Sequence, residues 1–119
     1  MKKKYKIFVV GLGSLGLNYM RAIAKLSLKA QVFYFDKNKS ALNQKFSNSK
    51  NIDYFKVKNI INFNKKIDLV IIATTAKGRL KLIETLLKNK CKYWILEKMI
   101  EQNISATNKI KKILSKYKC

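Results

Sequence analysis

The stretch that decides the fold is Gly11-Leu12-Gly13-Ser14-Leu15-Gly16, near the start of a chain of 119 residues. It follows the apolar run from Tyr5 to Val10, which is typical of a buried parallel strand. It precedes a segment from Ser14 to Leu26 whose apolar residues recur at helical spacing. A GxGxxG turn that joins a strand to a helix is the context in which this motif binds the pyrophosphate of a dinucleotide.

Each glycine of the turn has its own predicted role. Gly11 permits the tight turn, Gly13 leaves the backbone bare for a pyrophosphate, and Gly16 lets the helix pack closely. The free N–H groups of the first helical turn, at Ser14 and Leu15, then bind the anion together with the positive end of the helix dipole. The Ser14 hydroxyl is a further candidate donor. The alternative is a glycine turn that binds nothing.

Asp36 ends the second predicted strand, Gln31 to Phe35, about 20 residues beyond the third glycine, where the motif places an acidic residue. A carboxylate there accepts hydrogen bonds from the ribose hydroxyls of adenosine and repels a 2′-phosphate, so NAD is favoured over NADP. Lys37 and Lys39 keep NADP open, because a neighbouring cation can accommodate the extra phosphate. The structural alternative for Asp36 is a helix N-cap.

The rest of the chain repeats the alternation of strands and helices. The predicted elements are a helix after Asn38 or Ser40 that carries Ala41, Leu42 and Phe46, a strand from Ile52 to Val57, an ambiguous segment from Ile60 to Asn64, a strand from Leu69 to Ala73, a helix from Gly78 to Asn89, a strand from Tyr93 to Leu96, and a helix from Ser105 to Tyr117. This order predicts an α/β fold, a Rossmann-like doubly wound parallel sheet with helices on both faces. Residues 1–119 are predicted to form one domain.

The composition excludes several other classes of protein. Hydrophobic residues make up 48% of the chain, which is too many for a disordered protein. No apolar run approaches the roughly 20 residues that a membrane-spanning helix needs. Lys2-Lys3-Lys4 is not followed by the features of a signal peptide. We therefore expect a cytoplasmic protein without a membrane partner.

The chain contains no histidine, which excludes Ser-His-Asp triads and Cys–His pairs. Cys91 and Cys119 form no CxxC motif, so both are expected to be free thiols in a reducing compartment. No metal site is predicted from this set of residues.

The net charge of +21 raises the question of a nucleic-acid partner. All of the 27 basic residues except Arg21 and Arg79 are lysines, and they are spread along the chain without a long basic block. Specific readers of nucleic acid rely on arginine because it binds bidentately. We therefore expect weak, salt-sensitive binding to polyanions and no specific nucleic-acid partner, with a basic nucleic-acid-associated protein as the remaining alternative.

The second half of the chain resembles a known family. The stretch Asp68-Leu69-Val70-Ile71-Ile72-Ala73-Thr74-Thr75 leads to a helix, and the next strand ends Tyr93-Trp94-Ile95-Leu96-Glu97-Lys98. This pattern is similar to the N-terminal domain of the Gfo/Idh/MocA oxidoreductases, in which a strand ending Ala-Thr-Pro is followed by one ending Glu-Lys-Pro. Thr75 and Met99 replace the family's prolines, which loosens two turns without removing a reactive group.

The resemblance implies a reaction and four further site residues. Thr74 and Thr75 would pass beside the ribose and nicotinamide of the cofactor, and Glu97 would approach the nicotinamide ribose. Lys98 takes the position of the family's catalytic lysine, beside the substrate hydroxyl or carbonyl. The implied reaction is hydride transfer between nicotinamide and a sugar or cyclitol.

Members of the family continue with a large β domain that forms the substrate pocket, whereas this sequence ends after its last predicted helix. We expect either a truncated gene product or a partner chain that supplies the domain lacking here, and little activity from the chain alone, because nothing would hold the substrate in near-attack geometry. The alternative from another class is a non-catalytic NAD-binding regulatory module.

Overall fold

Apolar strands and amphipathic helices alternate along the folded chain. The computed structural model describes residues 4–26, 28–74, 79–89, 91 and 93–96. Its strands are β1 Tyr5–Val10, β2 Ala30–Phe35, β3 Ile52–Lys56, β4 Leu69–Ile72 and β5 Tyr93–Leu96. Its helices are α1 Ser14–Ala24, α2 Lys39–Leu42 and α3 Arg79–Leu86, the last continued by a 3₁₀ turn over Leu87–Asn89.

The five strands form one parallel sheet in the order β3-β2-β1-β4-β5. β1 lies at the centre and pairs with β2 along its whole length, from Tyr5 opposite Ala30 to Val10 opposite Phe35. The chain runs outward from β1 to β3 and then returns to the other side of β1 as β4. The strand order therefore reverses between β1 and β4, which confirms the predicted doubly wound α/β sheet and marks the usual ligand crevice at the carboxyl ends of these strands.

The two faces of the sheet bury separate cores, because successive side chains of a strand point to opposite faces. The core beside α1 and α2 includes Ile7, Val9, Met20, Ile23 and Leu42. The core beside α3 includes Phe8, Val10, Val70, Ile83 and Leu86. Helices thus cover both faces, as the alternation of elements predicts.

The first helix is shorter than predicted. α1 ends at Ala24 rather than at Leu26, because the N–H of Lys25 donates to the carbonyl of Ala22 at 3.2 Å and tightens the last turn. The helix predicted over 105–117 lies outside the described residues. No helix in the described part of the chain is both long and apolar enough to cross a membrane.

The second helix is a single turn, Lys39–Leu42. Phe46, predicted as one of its residues, lies beyond it and packs against Tyr34 and Tyr54, with ring centroids 4.8 and 5.6 Å away. Burial raises the pKa of both tyrosines above the ordinary value, because the phenolate form would lose hydration. Ring packing therefore holds Phe46 outside α2.

Residues 57–68, here called the β3–β4 loop, contain no helix, and every one of them is described. The ring of Phe63 anchors this loop, since its centroid lies 4.9 Å from that of Phe8 and 5.0 Å from that of Phe33. The buried side chain of Asn89 donates from Nδ2 to the carbonyls of Phe63 at 3.0 Å and Lys65 at 2.7 Å. The ambiguous segment of the sequence is thus an ordered turn, held by the end of α3.

Candidate functional site

Two positions of the glycine turn leave no room for a side chain. Gly11 has a φ of +99°, in the left-handed region that residues with a Cβ rarely adopt. A Cβ atom on Gly11 would lie 2.8 Å from the carbonyl carbon and oxygen of Ala73, at the end of β4. A Cβ atom on Gly16 would lie 1.7 Å from the carbonyl oxygen of Gly11. These contacts bring β1, β4 and α1 together at one point.

Gly13 has a different environment from the other two glycines. It is exposed, and a Cβ atom there would meet nothing within 4 Å. It is also the N-cap of α1 and gives the helix no side-chain hydrogen bond. The first N–H groups of a helix have no partner within the helix. The turn therefore presents bare backbone and the positive end of a helix dipole, a cradle that fits a pyrophosphate.

Asp36 lies at the end of β2, beside the glycine turn. Its Oδ2 accepts a hydrogen bond from the N–H of Leu12 at 2.7 Å, and its Oδ1 accepts one from the N–H of Asn38 at 2.8 Å. Asn38, rather than Asp36, is the N-cap of α2, since its side chain accepts from the N–H of Ala41 at 3.2 Å. A carboxylate has about four acceptor positions, so Asp36 keeps about half of them for a ligand.

A cavity of about 470 Å³ opens beside these groups. Its walls come from the carboxyl ends of β1, β2 and β4, from the β3–β4 loop and from α3. The lining residues are Val10, Gly11, Gly13, Phe35, Asp36, Lys37, Ile60, Ile61, Ala73, Thr74, Lys81, Leu82 and Thr85. The cavity thus occupies the crevice where the strand order reverses, and its size suits a small-molecule ligand, since such pockets span about 300–1,000 Å³.

Two parts of the lining differ in chemistry. The turn wall consists of Gly11, Gly13 and Asp36, and offers backbone and a carboxylate. The loop wall consists of Ile60, Ile61 and Leu82, and is aliphatic.

The loop wall presents apolar surface to a ligand. Ile61 is 68% exposed, which places a large apolar side chain in contact with solvent at the edge of a cavity. Burying such surface against a flat ring is favourable, at about 25 cal/mol per Å². The loop wall is therefore suited to the base of a nucleotide.

The loop wall could not be found from the sequence, because the segment that holds Ile60 and Ile61 has no periodicity. The spacing of two residues on α3 does indicate part of the cavity lining. Lys81 and Thr85 lie four residues apart, which puts them on one side of a helix, and both line the cavity.

The structure brings four of the predicted site residues to the cavity: Gly11, Gly13, Asp36 and Thr74. In the first turn of α1, Ser14 is exposed, Leu15 is half-buried and Gly16 is buried, and these three are not among the lining residues. Thr75, Glu97 and Lys98 lie outside the described residues, so their roles stay predictions.

The described residues include few groups that could bind a metal. Among them, no three His, Cys, Asp or Glu side chains are grouped as a metal site requires. Cys91 is buried, and its Sγ donates to the carbonyl of Tyr93 at 2.9 Å.

The fold and the site together define a class of protein. A doubly wound parallel sheet with a bare glycine turn after β1 and a carboxylate after β2 is a dinucleotide-binding Rossmann domain. The model of the Gfo/Idh/MocA family, described as an oxidoreductase family with an NAD-binding Rossmann fold, matches residues 5–119. The chain belongs to this family, as an NAD-binding Rossmann domain.

A solved structure supports the fold independently. The crystal structure of RSP, a Rex-family repressor, superposes with a TM-score of 0.52 at 19% sequence identity. The similarity covers 96% of this chain and 59% of that chain, so this chain spans little more than half of the repressor's length. No curated protein matches the chain by sequence.

Proposed function

We propose that this chain is the cofactor-binding domain of an NAD-dependent oxidoreductase that transfers hydride between nicotinamide and a hydroxyl or carbonyl of a sugar or cyclitol. The observation that carries the proposal is the turn wall, where bare backbone and a carboxylate lie side by side at the reversal of strand order. The proposed substrate class rests on the family resemblance. We also propose a cytoplasmic location, which rests on the composition.

The residues present fit a dinucleotide along its whole adenosine half. Gly13 and the N–H groups of the first turn of α1 hold the pyrophosphate. Asp36 accepts hydrogen bonds from the ribose hydroxyls, through the acceptor positions that Leu12 and Asn38 leave unused. The adenine ring lies against the loop wall. Thr74, at the end of β4, lies beside the path of the cofactor toward nicotinamide.

Asp36 favours NAD over NADP, because its negative charge repels a 2′-phosphate. Lys37 and Lys81 line the same cavity and reduce this preference, since each can attract the extra phosphate. We expect NADH to bind more tightly than NADPH.

Catalysis in this proposal needs residues beyond the described part of the chain. When bound, nicotinamide supplies the acceptor or donor of hydride. Lys98 exchanges a proton with the oxygen of the substrate through its Nζ. Thr75 and Glu97 orient the nicotinamide ribose. A second domain or a partner chain supplies the substrate pocket, and residues 1–119 form the cofactor domain.

A second candidate function is a non-catalytic module that senses NAD(H). The observation that favours it is the fold shared with a Rex-family repressor. A sensor binds the dinucleotide reversibly, without turning over any polyol. An oxidoreductase domain reduces NAD in the presence of a polyol once the substrate domain is supplied, and this difference separates the two.

A thermal-shift titration of the folded chain with NADH, NADPH and ADP tests the binding function. A ligand at about 100 times its dissociation constant adds about 2.7 kcal/mol to the free energy of unfolding, so NADH should raise the melting temperature clearly. No shift with any of the three ligands contradicts the proposal. A shift with duplex DNA alone, at physiological salt, favours the basic nucleic-acid-associated alternative.

A further inference from the structure

The peptide groups of the glycine turn are held from the end of β2 and from the segment after α2. Leu12, the second residue of the turn, is 1% exposed. Its N–H donates to Oδ2 of Asp36 at 2.7 Å, and its carbonyl accepts from Nε2 of Gln44 at 3.4 Å. The N–H of Gly11 donates to the carbonyl of Phe35 at 2.8 Å. Both polar atoms of the Leu12 backbone therefore have side-chain partners.

Those two partners are themselves tethered. Oδ1 of Asp36 accepts from the N–H of Asn38 at 2.8 Å. Nε2 of Gln44 also donates to the carbonyl of Ala41 at 3.1 Å. A side chain already fixed by one bond loses less conformational entropy in making a second. The end of β2 and the segment around α2 thus act as a frame for the turn.

We propose that Asp36 is a positioning residue for the pyrophosphate in addition to binding the ribose, and that Gln44 assists it by fixing the other side of Leu12. The inference rests on the proposed dinucleotide-binding function and deepens it. Gly13, whose backbone faces the ligand, follows Leu12 directly. Any rotation of the Leu12 backbone therefore moves the cradle that holds the pyrophosphate.

The charge of Asp36 and its hydrogen bond to Leu12 have opposite effects on anion binding. Its negative charge repels a diphosphate, so the loss of that charge, taken by itself, would tighten binding. Its hydrogen bond to Leu12 keeps the turn in one geometry, and affinity falls in proportion to the fraction of molecules in that geometry. A ligand without ribose hydroxyls therefore reveals which effect dominates.

Such a ligand is 2′,3′-dideoxy-ADP. We would measure by calorimetry the affinities of ADP and 2′,3′-dideoxy-ADP for the wild type, Asp36→Ala, Asp36→Asn and Gln44→Met. Asp36→Ala should bind the dideoxy ligand about tenfold more weakly than the wild type. Asp36→Asn keeps an oxygen that can accept from Leu12, so it should recover most of this loss. Gln44→Met should weaken binding by about two- to threefold, since its contact to Leu12 is long.

The control is Asp53→Ala. It removes the same charge from a surface pair, in which Asp53 Oδ2 lies 3.6 Å from Lys4 Nζ, and Asp53 does not line the cavity. Both ligands should bind this variant as they bind the wild type. Unchanged or tighter binding of 2′,3′-dideoxy-ADP to Asp36→Ala overturns the inference. If Asp36→Ala does not fold, Gln44→Met decides instead, and wild-type affinity in that variant overturns it.

A wild type that binds neither nucleotide refutes the proposed function rather than this inference. Hydrogen exchange of the Leu12 amide, measured without ligand, then decides the inference alone. Exchange at least about tenfold faster in Asp36→Ala than in the wild type supports the positioning role. Equal exchange rates in the two proteins overturn it.

Discussion

The turn wall and the loop wall line one cavity but are built in different ways. The turn wall is shaped by close backbone contacts at Gly11 and at the neighbouring Gly16, since a Cβ atom on either would lie within 3 Å of other backbone atoms. The loop wall is held by side chains from another part of the chain. Lys88 donates from Nζ to the carbonyl of Ile61, and Asn89 donates to two further carbonyls of the same loop.

This difference predicts how each wall fails. Backbone atoms in close contact cannot yield, so one added carbon on Gly11 or Gly16 disrupts the packing of β1, β4 and α1. The β3–β4 loop is held by separate side-chain hydrogen bonds, so one substitution removes some of them and leaves the others. The ligand then loses part of its apolar contact surface. Substitution of Gly11 or Gly16 should therefore act mainly through stability, and loss of a hydrogen bond that holds the loop wall through both stability and affinity.

The largest expected effect is that of Gly16→Ala. The added methyl would lie 1.7 Å from the carbonyl oxygen of Gly11. The clash involves backbone, so we place its cost near the upper end of single-substitution effects, at about 4 kcal/mol. Alanine returns only about 1 kcal/mol through its better helix propensity. Urea unfolding should show a net loss of about 3 kcal/mol.

The matched control for this prediction is Gly13→Ala, because it is the same substitution in the same turn. At Gly13 the methyl meets nothing within 4 Å. Gly13 is the N-cap of α1, where alanine is less favourable than glycine, so the free energy of unfolding should fall by no more than about 1 kcal/mol. Equal losses in the two variants would show that the turn tolerates side chains to the same degree at both positions, and the steric account of the turn wall would be wrong.

The next largest effect is expected for Asn89→Ala. Asn89 is 1% exposed, and its loss leaves the carbonyls of Phe63 and Lys65 without their partner. An unpaired buried polar group costs about 1–3 kcal/mol. Oδ1 of Asn89 has no partner among the described residues, so its removal offsets part of this cost. We expect a net loss of about 2 kcal/mol in urea unfolding.

Ligand affinities test whether this loss reaches the loop wall. Asn89→Ala should bind ADP about threefold more weakly and inorganic pyrophosphate as the wild type does, because only ADP carries a base. Asn64→Ala is the control, since Asn64 is an exposed asparagine of the same loop and its removal should change neither quantity. Equal weakening of ADP and pyrophosphate in Asn89→Ala would show that the damage is general and not confined to the loop wall.

The contrast between the walls also marks what the sequence could predict. The turn, the five strands and the position of Asp36 follow from local patterns, because a glycine motif and apolar periodicity need no distant partner. The loop wall depends on Asn89, which bonds to carbonyls 26 and 24 residues away in the chain. No local sequence pattern predicts a hydrogen bond between residues so far apart in the chain.

The short α2 has a similar explanation. The sequence shows Phe46 at a helical spacing, but the residue packs instead between Tyr34 of β2 and Tyr54 of β3. A tertiary aromatic contact thus overrides a weak local helix preference. The roles of Ser14 and Leu15 stay predictions, because the access of a ligand to the Ser14 hydroxyl and to their backbone N–H groups depends on the geometry of the whole turn.

An effect smaller than the two losses of stability isolates the turn wall's role in binding, and it is again that of Gly13→Ala. The methyl would enter open space at the cavity, where the pyrophosphate is proposed to approach the backbone. Steric exclusion there should weaken NADH and ADP binding by about tenfold, which corresponds to about 1.4 kcal/mol. Calorimetry on the folded variant measures this directly. Because this variant is expected to stay folded, the loss of affinity reports on the ligand-facing side of the turn. Wild-type affinity in Gly13→Ala would place the pyrophosphate elsewhere in the cavity.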